Sequence, residues 1–102
     1  MIYLSFYLEI NGDGATFFTH DKLNPMDKID VRAAFVGCGG LSVNERVLGN
    51  KRFIISKWDS LDGYANWLAH PASQIYITTR DAYNKLHNIQ SEFIAIIPAS
   101  EV

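Results

Sequence analysis

Cysteine is nearly absent: Cys38 is the only one among 102 residues. An internal disulfide is therefore excluded, and so is any multi-cysteine zinc or iron–sulfur site. A lone thiol fits a reducing cytoplasm. Proline is scarce at three residues, and no stretch rich in proline, glycine or serine divides the chain. An excess of one charge is missing too, since nine Lys and Arg face eleven Asp and Glu for a net −2. The basic residues are scattered, which argues against a nucleic-acid partner. No apolar run approaches the ~18–20 residues of a membrane span, so no membrane partner is expected. The opening MIYLSFYLEI carries no basic leader and no small-residue cleavage site, so no signal peptide is expected. There is no internal repeat. The remainder is ordinary globular composition, 48% hydrophobic and 20% charged, at a length that suits one domain over residues 1–102.

The run from Ile2 to Ile10 is mostly aromatic and β-branched and ends at Asn11-Gly12-Asp13-Gly14, which reads as a strand entering a turn. Residues Ala15 to Leu23 fit either the start of a helix or a short second strand folding back across that turn. Asn24-Pro25 is a helix start, because asparagine caps and proline tolerates the first helical position. Met26, Ile29, Ala33 and Val36 then recur at helical spacing until Gly37 and Gly39-Gly40 stop them. Leu41 to Leu48 and Lys51 to Trp58 flank Gly49-Asn50, a hairpin signal in which glycine supplies the positive φ of the turn. Asp59 or Ser60 caps the next helix, whose inward face is expected to carry Leu61, Tyr64, Ala65 and Leu68. His70-Pro71 ends it and opens another, with a stripe of Ala72, Ile75, Tyr76, Thr79, Ala82, Tyr83 and Leu86. Glu92 to Ile97 is a buried-type strand stopped by Pro98.

The order strand, helix, strand, strand, helix, strand is a split β-α-β unit, the ferredoxin-like α+β plait with an antiparallel four-stranded sheet and helices on one face. The strands read as apolar on both sides. The face turned away from the helices therefore needs a cover, and a homodimer is the simplest one for a short chain.

The stretch from Phe53 to Pro71 resembles the antibiotic biosynthesis monooxygenase family of dimeric α+β barrels. Trp58-Asp59-Ser60 matches its strand-end tryptophan, acidic residue and serine. Leu68-Ala69-His70-Pro71 matches its helix break, with His70 replacing the usual serine, and Gly39-Gly40-Leu41-Ser42 matches the approach to its second strand. The resemblance implies two plaits paired into a barrel, each with a cavity for a small aromatic or polyketide-like ligand between sheet and helices. It also implies oxidation of a phenolic or enolisable substrate by O₂ without metal or flavin, in a dry pocket that orients the substrate and accepts its proton. The family's site tryptophan and tyrosine fall on Trp58 and Tyr64, and its asparagine position is Ile54. In the haem-degrading branch the helix tryptophan falls on Trp67, but the iron-ligating histidine falls near Ile77, which cannot ligate iron.

Each candidate also has a plainer reading. Trp58 is a pocket wall or an aromatic plug between hairpin and helix. Tyr64 is a catalytic hydroxyl or a core residue with its hydroxyl at the rim, and Trp67 lies off the expected stripe, facing pocket, interface or loop. His70 and His20 are candidate catalytic bases, although His70 also suits a helix cap. His87 suits the negative end of a helix. Tyr76 and Arg80 lie four apart on one helix side, where the arginine can hold an anionic substrate group or pair with Asp81 or Glu92. Three scattered histidines do not form a metal motif. Cys38 has no basic cluster near it in sequence to make it reactive. The Asn11 to Gly14 turn lacks the Gly-Lys-Ser/Thr of a phosphate loop. The leading expectation is a cofactor-independent monooxygenase. A non-catalytic ligand-binding or regulatory dimer, a structural dimer with a filled pocket and a haem-degrading oxygenase are the alternatives.

Overall fold

A computed structural model describes residues 1–11 and 25–101, the side chains of 25–27 excepted. The Ala15 to Leu23 segment with His20 and the Asn24 cap lie outside the described residues, and so does the side chain of Met26. The elements run β1 (Tyr3–Ile10), α1 (Pro25–Gly37), β2 (Gly40–Leu48), β3 (Lys51–Trp58), α2 (Leu61–Ala69), α3 (Pro71–Leu86), β4 (Gln90–Pro98) and a short 3₁₀ turn, Ala99–Glu101. The sheet order is β2-β3-β1-β4, with every neighbouring pair antiparallel. Each helical connection thus crosses over one strand, as the split β-α-β plait requires. Gly49 opens the β2–β3 loop at φ 62°, a conformation that costs glycine nothing. No helix among the described residues is long and apolar enough to cross a membrane.

The inward helix faces differ from the expected stripes. On α1, Ile29 and Val36 are each 62% exposed, and Val31, Ala34 and Phe35 are buried instead. Two apolar stripes compete on this helix, and ring size decides between them: Phe35 meets Trp58 edge-on at 4.9 Å and Trp67 at 5.8 Å. Gly40 makes room for that packing, because any side chain there would run into the Phe35 ring. On α2, Trp67 and Gly63 turn inward while Leu61, Ala65 and Leu68 are exposed. On α3, Ala72, Ser73, Tyr76 and Asn84 are buried, whereas Ile75, Ala82 and Leu86 face outward. Aromatic bulk thus wins over aliphatic count on α1 and α2, while α3 turns Ser73 and Asn84 inward beside Tyr76.

The sheet also departs from expectation, because its polar side chains concentrate on the helix side. Strand alternation puts Ser5, Tyr7 and Glu9 there from β1, and Arg52, Ile54, Ser56 and Trp58 from β3. Leu4, Phe6, Leu8, Ile10, Phe53 and Ile55 fall on the other face, apolar and mostly half-buried. Glu9 and Arg52 are cross-strand partners, 1% and 3% exposed, joined Oε1 to Nη1 at 2.7 Å. Asn84 of α3 donates to the second Glu9 oxygen at 3.0 Å. Glu45 of β2 takes the Arg52 fork through Nε, at 3.1 Å, and Nη2. A buried ion holds only when its hydrogen bonds are this complete.

Replacing Arg52 with methionine removes the guanidinium that faces the Glu9 carboxylate. The expected loss is about 3–5 kcal/mol, a large part of the ~5–15 kcal/mol typical of a domain. The joint replacement Glu9→Leu with Arg52→Met is expected to cost less than Arg52→Met alone. Urea unfolding followed by tryptophan fluorescence checks both, and a joint loss larger than the single one would refute the charge-pair account.

Candidate functional site

The strand-end tryptophan and the helix after it are fixed by one tight turn. Ser60 caps α2 by accepting from the Gly63 N–H at 3.0 Å. Gly63 is buried so closely that a Cβ would strike the Cys38 carbonyl. The first turn of α2 thus lies against the α1–β2 connection, and Tyr64 stands edge-on to Trp58 at 5.2 Å. Trp58 is 1% exposed, and its indole N–H donates to Ser5 Oγ at 3.0 Å. With that donor satisfied, the ring serves as a wall and offers its face.

A cavity of about 450 Å³ lies between this wall and the helices. Ser5, Tyr7, Ile54, Ser56 and Trp58 floor it, Trp67, Tyr76, Ile77 and Arg80 cover it from the helices, and Tyr64, Phe93 and Ile96 complete it toward β4. Its volume and mostly apolar, aromatic lining suit a small organic ligand. Room exists because the central cross-strand pair of the floor is Ser5 with Ser56, two of the smallest side chains available.

Arg80 supplies the charge. Its guanidinium carbon lies 4.1 Å from the Tyr7 ring centre and 5.5 Å from that of Tyr76, and its Nε donates to Asp81 at 3.2 Å. Burial works against this cation, yet Tyr76, Tyr7 and Asp81 raise its pKa above the ordinary value, so it remains charged. Burial pushes the Tyr7, Tyr64 and Tyr76 hydroxyls above the ordinary 10.0, and the Arg80 charge opposes the rise at each. At neutral pH these tyrosines are therefore hydrogen-bond donors and not bases.

Five residues singled out in the sequence, Trp58, Tyr64, Trp67, Tyr76 and Arg80, thus meet in one cavity. Ile54 and Ile77 line it as apolar wall. His70 stands elsewhere. Its Nδ1 accepts the Ala72 N–H at 3.1 Å, capping α3, and it lines a separate outer hollow of about 600 Å³ between α1 and α3 beside Cys38. That hollow is larger, but none of the aromatic residues converges on it. His87 caps the far end of α3, where its N–H donates to the Tyr83 carbonyl at 3.1 Å. No group of three metal-ligating side chains occurs among the described residues. Sequence reasoning missed Tyr7, Ser5, Ser56 and Phe93. For the first three, alternation from Glu9 and from Trp58 carried the signal. For Phe93 it did not, because β4 changes register.

The raised tyrosines give a pH prediction. Above pH 10 the unfolded chain's tyrosines ionise while the buried ones hold their protons, so the folded state binds more protons and loses stability as pH rises. Spectrophotometric titration is expected to show a tyrosine fraction ionising only above 10.0, and the urea midpoint is expected to fall across the same window. Normal titration of every tyrosine would contradict the burial described here.

No family model matches the sequence, and no curated protein matches it. Among solved structures the chain is similar to SnoaB, described as a cofactor-independent oxygenase from Streptomyces nogalater. Against a single-residue variant of SnoaB the TM-score is 0.60 at 18% identity, covering 95% of this chain and 92% of that one. A second SnoaB structure gives 0.52 at the same identity and coverage. At this identity the likeness is one of fold. The chain therefore carries the fold of SnoaB, the α+β ferredoxin-like plait that the resemblance to the antibiotic biosynthesis monooxygenases implied.

Proposed function

We propose that this chain is an enzyme that oxidises a small phenol or enol with O₂, without metal or flavin. The observation that carries the reading is the shared cavity in which Trp58, Tyr64 and the partly buried, charged Arg80 meet. The likeness in fold to a cofactor-independent oxygenase supports it. Arg80 favours the phenolate, so the substrate proton leaves to solvent more readily in the cavity than outside it. The electron-rich ring then passes an electron to O₂, and the two radicals join through a new carbon–oxygen bond. The resulting hydroperoxide loses water to give a quinone, so one phenol and one O₂ become one quinone and one H₂O. Apolar walls keep water from the radical pair, and Tyr64 and Tyr76, both protonated, are the available donors toward the developing peroxide. Ile54 and Ile77 add apolar surface, and haem ligation through position 77 has no chemical basis. A cytoplasmic location suits the lone thiol of Cys38.

We also propose that a second copy covers the outer sheet face. Leu4, Phe6, Leu8, Phe53 and Ile55 make one contiguous apolar surface, and a two-fold axis lets such a surface pack on itself.

An oxygen electrode with a panel of phenols and hydroxynaphthalenes tests the activity. The expected result is uptake that rises with pH as the substrate ionises, and a loss of about 10²-fold in kcat for Arg80→Gln. Ligand binding with no uptake from any member would instead favour the non-catalytic binding dimer. Sedimentation tests the assembly: the chain is expected to run as a dimer and Phe53→Lys as a monomer, and a monomeric parent chain would overturn the pairing.

A further inference from the structure

One strand of the cavity is out of step with the alternation that builds the others. From Pro98 inward, β4 pairs regularly with β1: Pro98 with Tyr3, Ile96 with Ser5, Ala95 with Phe6. The next step would set Ile94 opposite Tyr7. Instead the register shifts, and Phe93 takes that place. Ile94 is the extra residue of a β-bulge on an edge strand, a device that re-aims the side chains beyond it. Without the bulge, Phe93 would fall on the outer sheet face opposite Leu8. With it, Phe93 turns to the helix side and lines the cavity.

There it meets Tyr64. The two rings lie within 21° of parallel, their centres 6.0 Å apart, whereas Trp58 meets Phe35 and Tyr64 edge-on and Trp67 at a tilt. Phe93 is 47% exposed, so its outer side is open to solvent and free to give way. Tyr64 is backed by Trp58 and by the capped first turn of α2. One ring is thus fixed and the other yielding, and both stand at the β4 side of the cavity.

We infer that Tyr64 and Phe93 form a slot that selects flat aromatic ligands over puckered ones of similar size. The inference rests on the reading of the cavity as a small-molecule site. A flat ring between two others needs faces roughly 7 Å apart, two contacts of ~3.5 Å each. The ring centres are 6.0 Å apart, so the faces are separated by that or less, and Phe93 has to yield by at least about an ångström. A saturated bicycle is thicker, requires a wider opening and gains no stacking. Planarity, more than volume, is then what this side of the cavity reads.

The test is titration calorimetry with 2-naphthol and with its saturated counterpart, decahydro-2-naphthol, on the parent chain, Phe93→Leu and Phe93→Ala. Leucine keeps apolar bulk on the strand and removes only the flat face, so it separates stacking from burial. The parent is expected to prefer 2-naphthol. Phe93→Leu is expected to weaken 2-naphthol about five-fold and to leave decahydro-2-naphthol within about two-fold. Equal weakening of both probes, or no change in either, overturns the slot. Oxygen uptake is followed in the same samples. Uptake by the parent with selectivity unchanged in the variants overturns the slot and leaves the oxidation standing. Lost selectivity in the variants with no uptake by the parent upholds the slot and counts against the oxidation, which falls when the whole phenol panel also gives no uptake. A parent that binds neither probe overturns the slot.

Discussion

The hydrogen bond from the Trp58 indole to Ser5 runs diagonally across the β1–β3 pair, and it decides how the largest side chain of the core lies. A buried indole N–H without an acceptor would cost about 1–3 kcal/mol, so the ring is held wherever its acceptor is. Three aromatic residues are arranged around it: Phe35 from α1, Tyr64 and Trp67 from α2. Two of the helices, α1 and α2, thus register on one strand-end residue. The packing of α1 through Phe35 and the direction of α2 through Trp67 follow from that single orientation. So does the placement of the tyrosine that faces the cavity.

Arg52, buried on β3, and Arg80, partly buried on α3, mark different parts of the space between sheet and helices, and their surroundings differ in a way that separates structure from function. Arg52 is answered by Glu9 and Glu45, and Glu9 in turn by Asn84, so that end of the space under α3 is closed and electrically satisfied. Arg80 pairs through Nε with Asp81, whose side chain is 57% exposed, and lies against tyrosine rings on the cavity side. An ion pair screened by solvent contributes little to stability. Arg80 is thus poorly explained as a structural cation, and a negative group in the cavity would complete its environment in the way Glu9 and Glu45 complete that of Arg52.

Strand order, the Gly49 hairpin, the Ser60 cap and the His70-Pro71 break were legible because each is written in local chemistry: a positive φ, a capping oxygen, a ring that ends a helix. Tyr76 and Arg80 were legible because spacing along one helix carries them, and Trp58 and Tyr64 through the resemblance to the antibiotic biosynthesis monooxygenases. The inward helix faces were not. On α1 the stripes through Ile29 and through Val31 are both apolar, and only the tertiary partners of Phe35 choose between them. The direction in which Trp67 faces is illegible for the same reason, since an aliphatic stripe through Leu61 and Leu68 competes with it. Glu9 and Arg52 look like isolated charges in separate strands until the register makes them neighbours. Phe93 was hidden more deeply, because strict alternation from Pro98 assigns it to the wrong face and no sequence signal announces the skipped residue.

The serine pair at the floor and the bulge on β4 point the same way. Ser5 is needed as the acceptor of the Trp58 indole, but a plait selected for stability alone would fill the space above Ser56 with an aliphatic side chain, worth roughly 1.5–3 kcal/mol when buried. It would also keep β4 regular and leave Phe93 on the apolar outer face, where the sheet already has such residues. This chain does neither. It keeps small side chains at the centre of its sheet and interrupts a strand to bring an aromatic ring to the helix side, half exposed. Departures from local consistency of this kind gather where function outweighs stability. Here both fall on the walls of one cavity, and at the two ends of its floor the satisfied Arg52 network and the satisfied Trp58 indole keep the rest of the fold rigid around it.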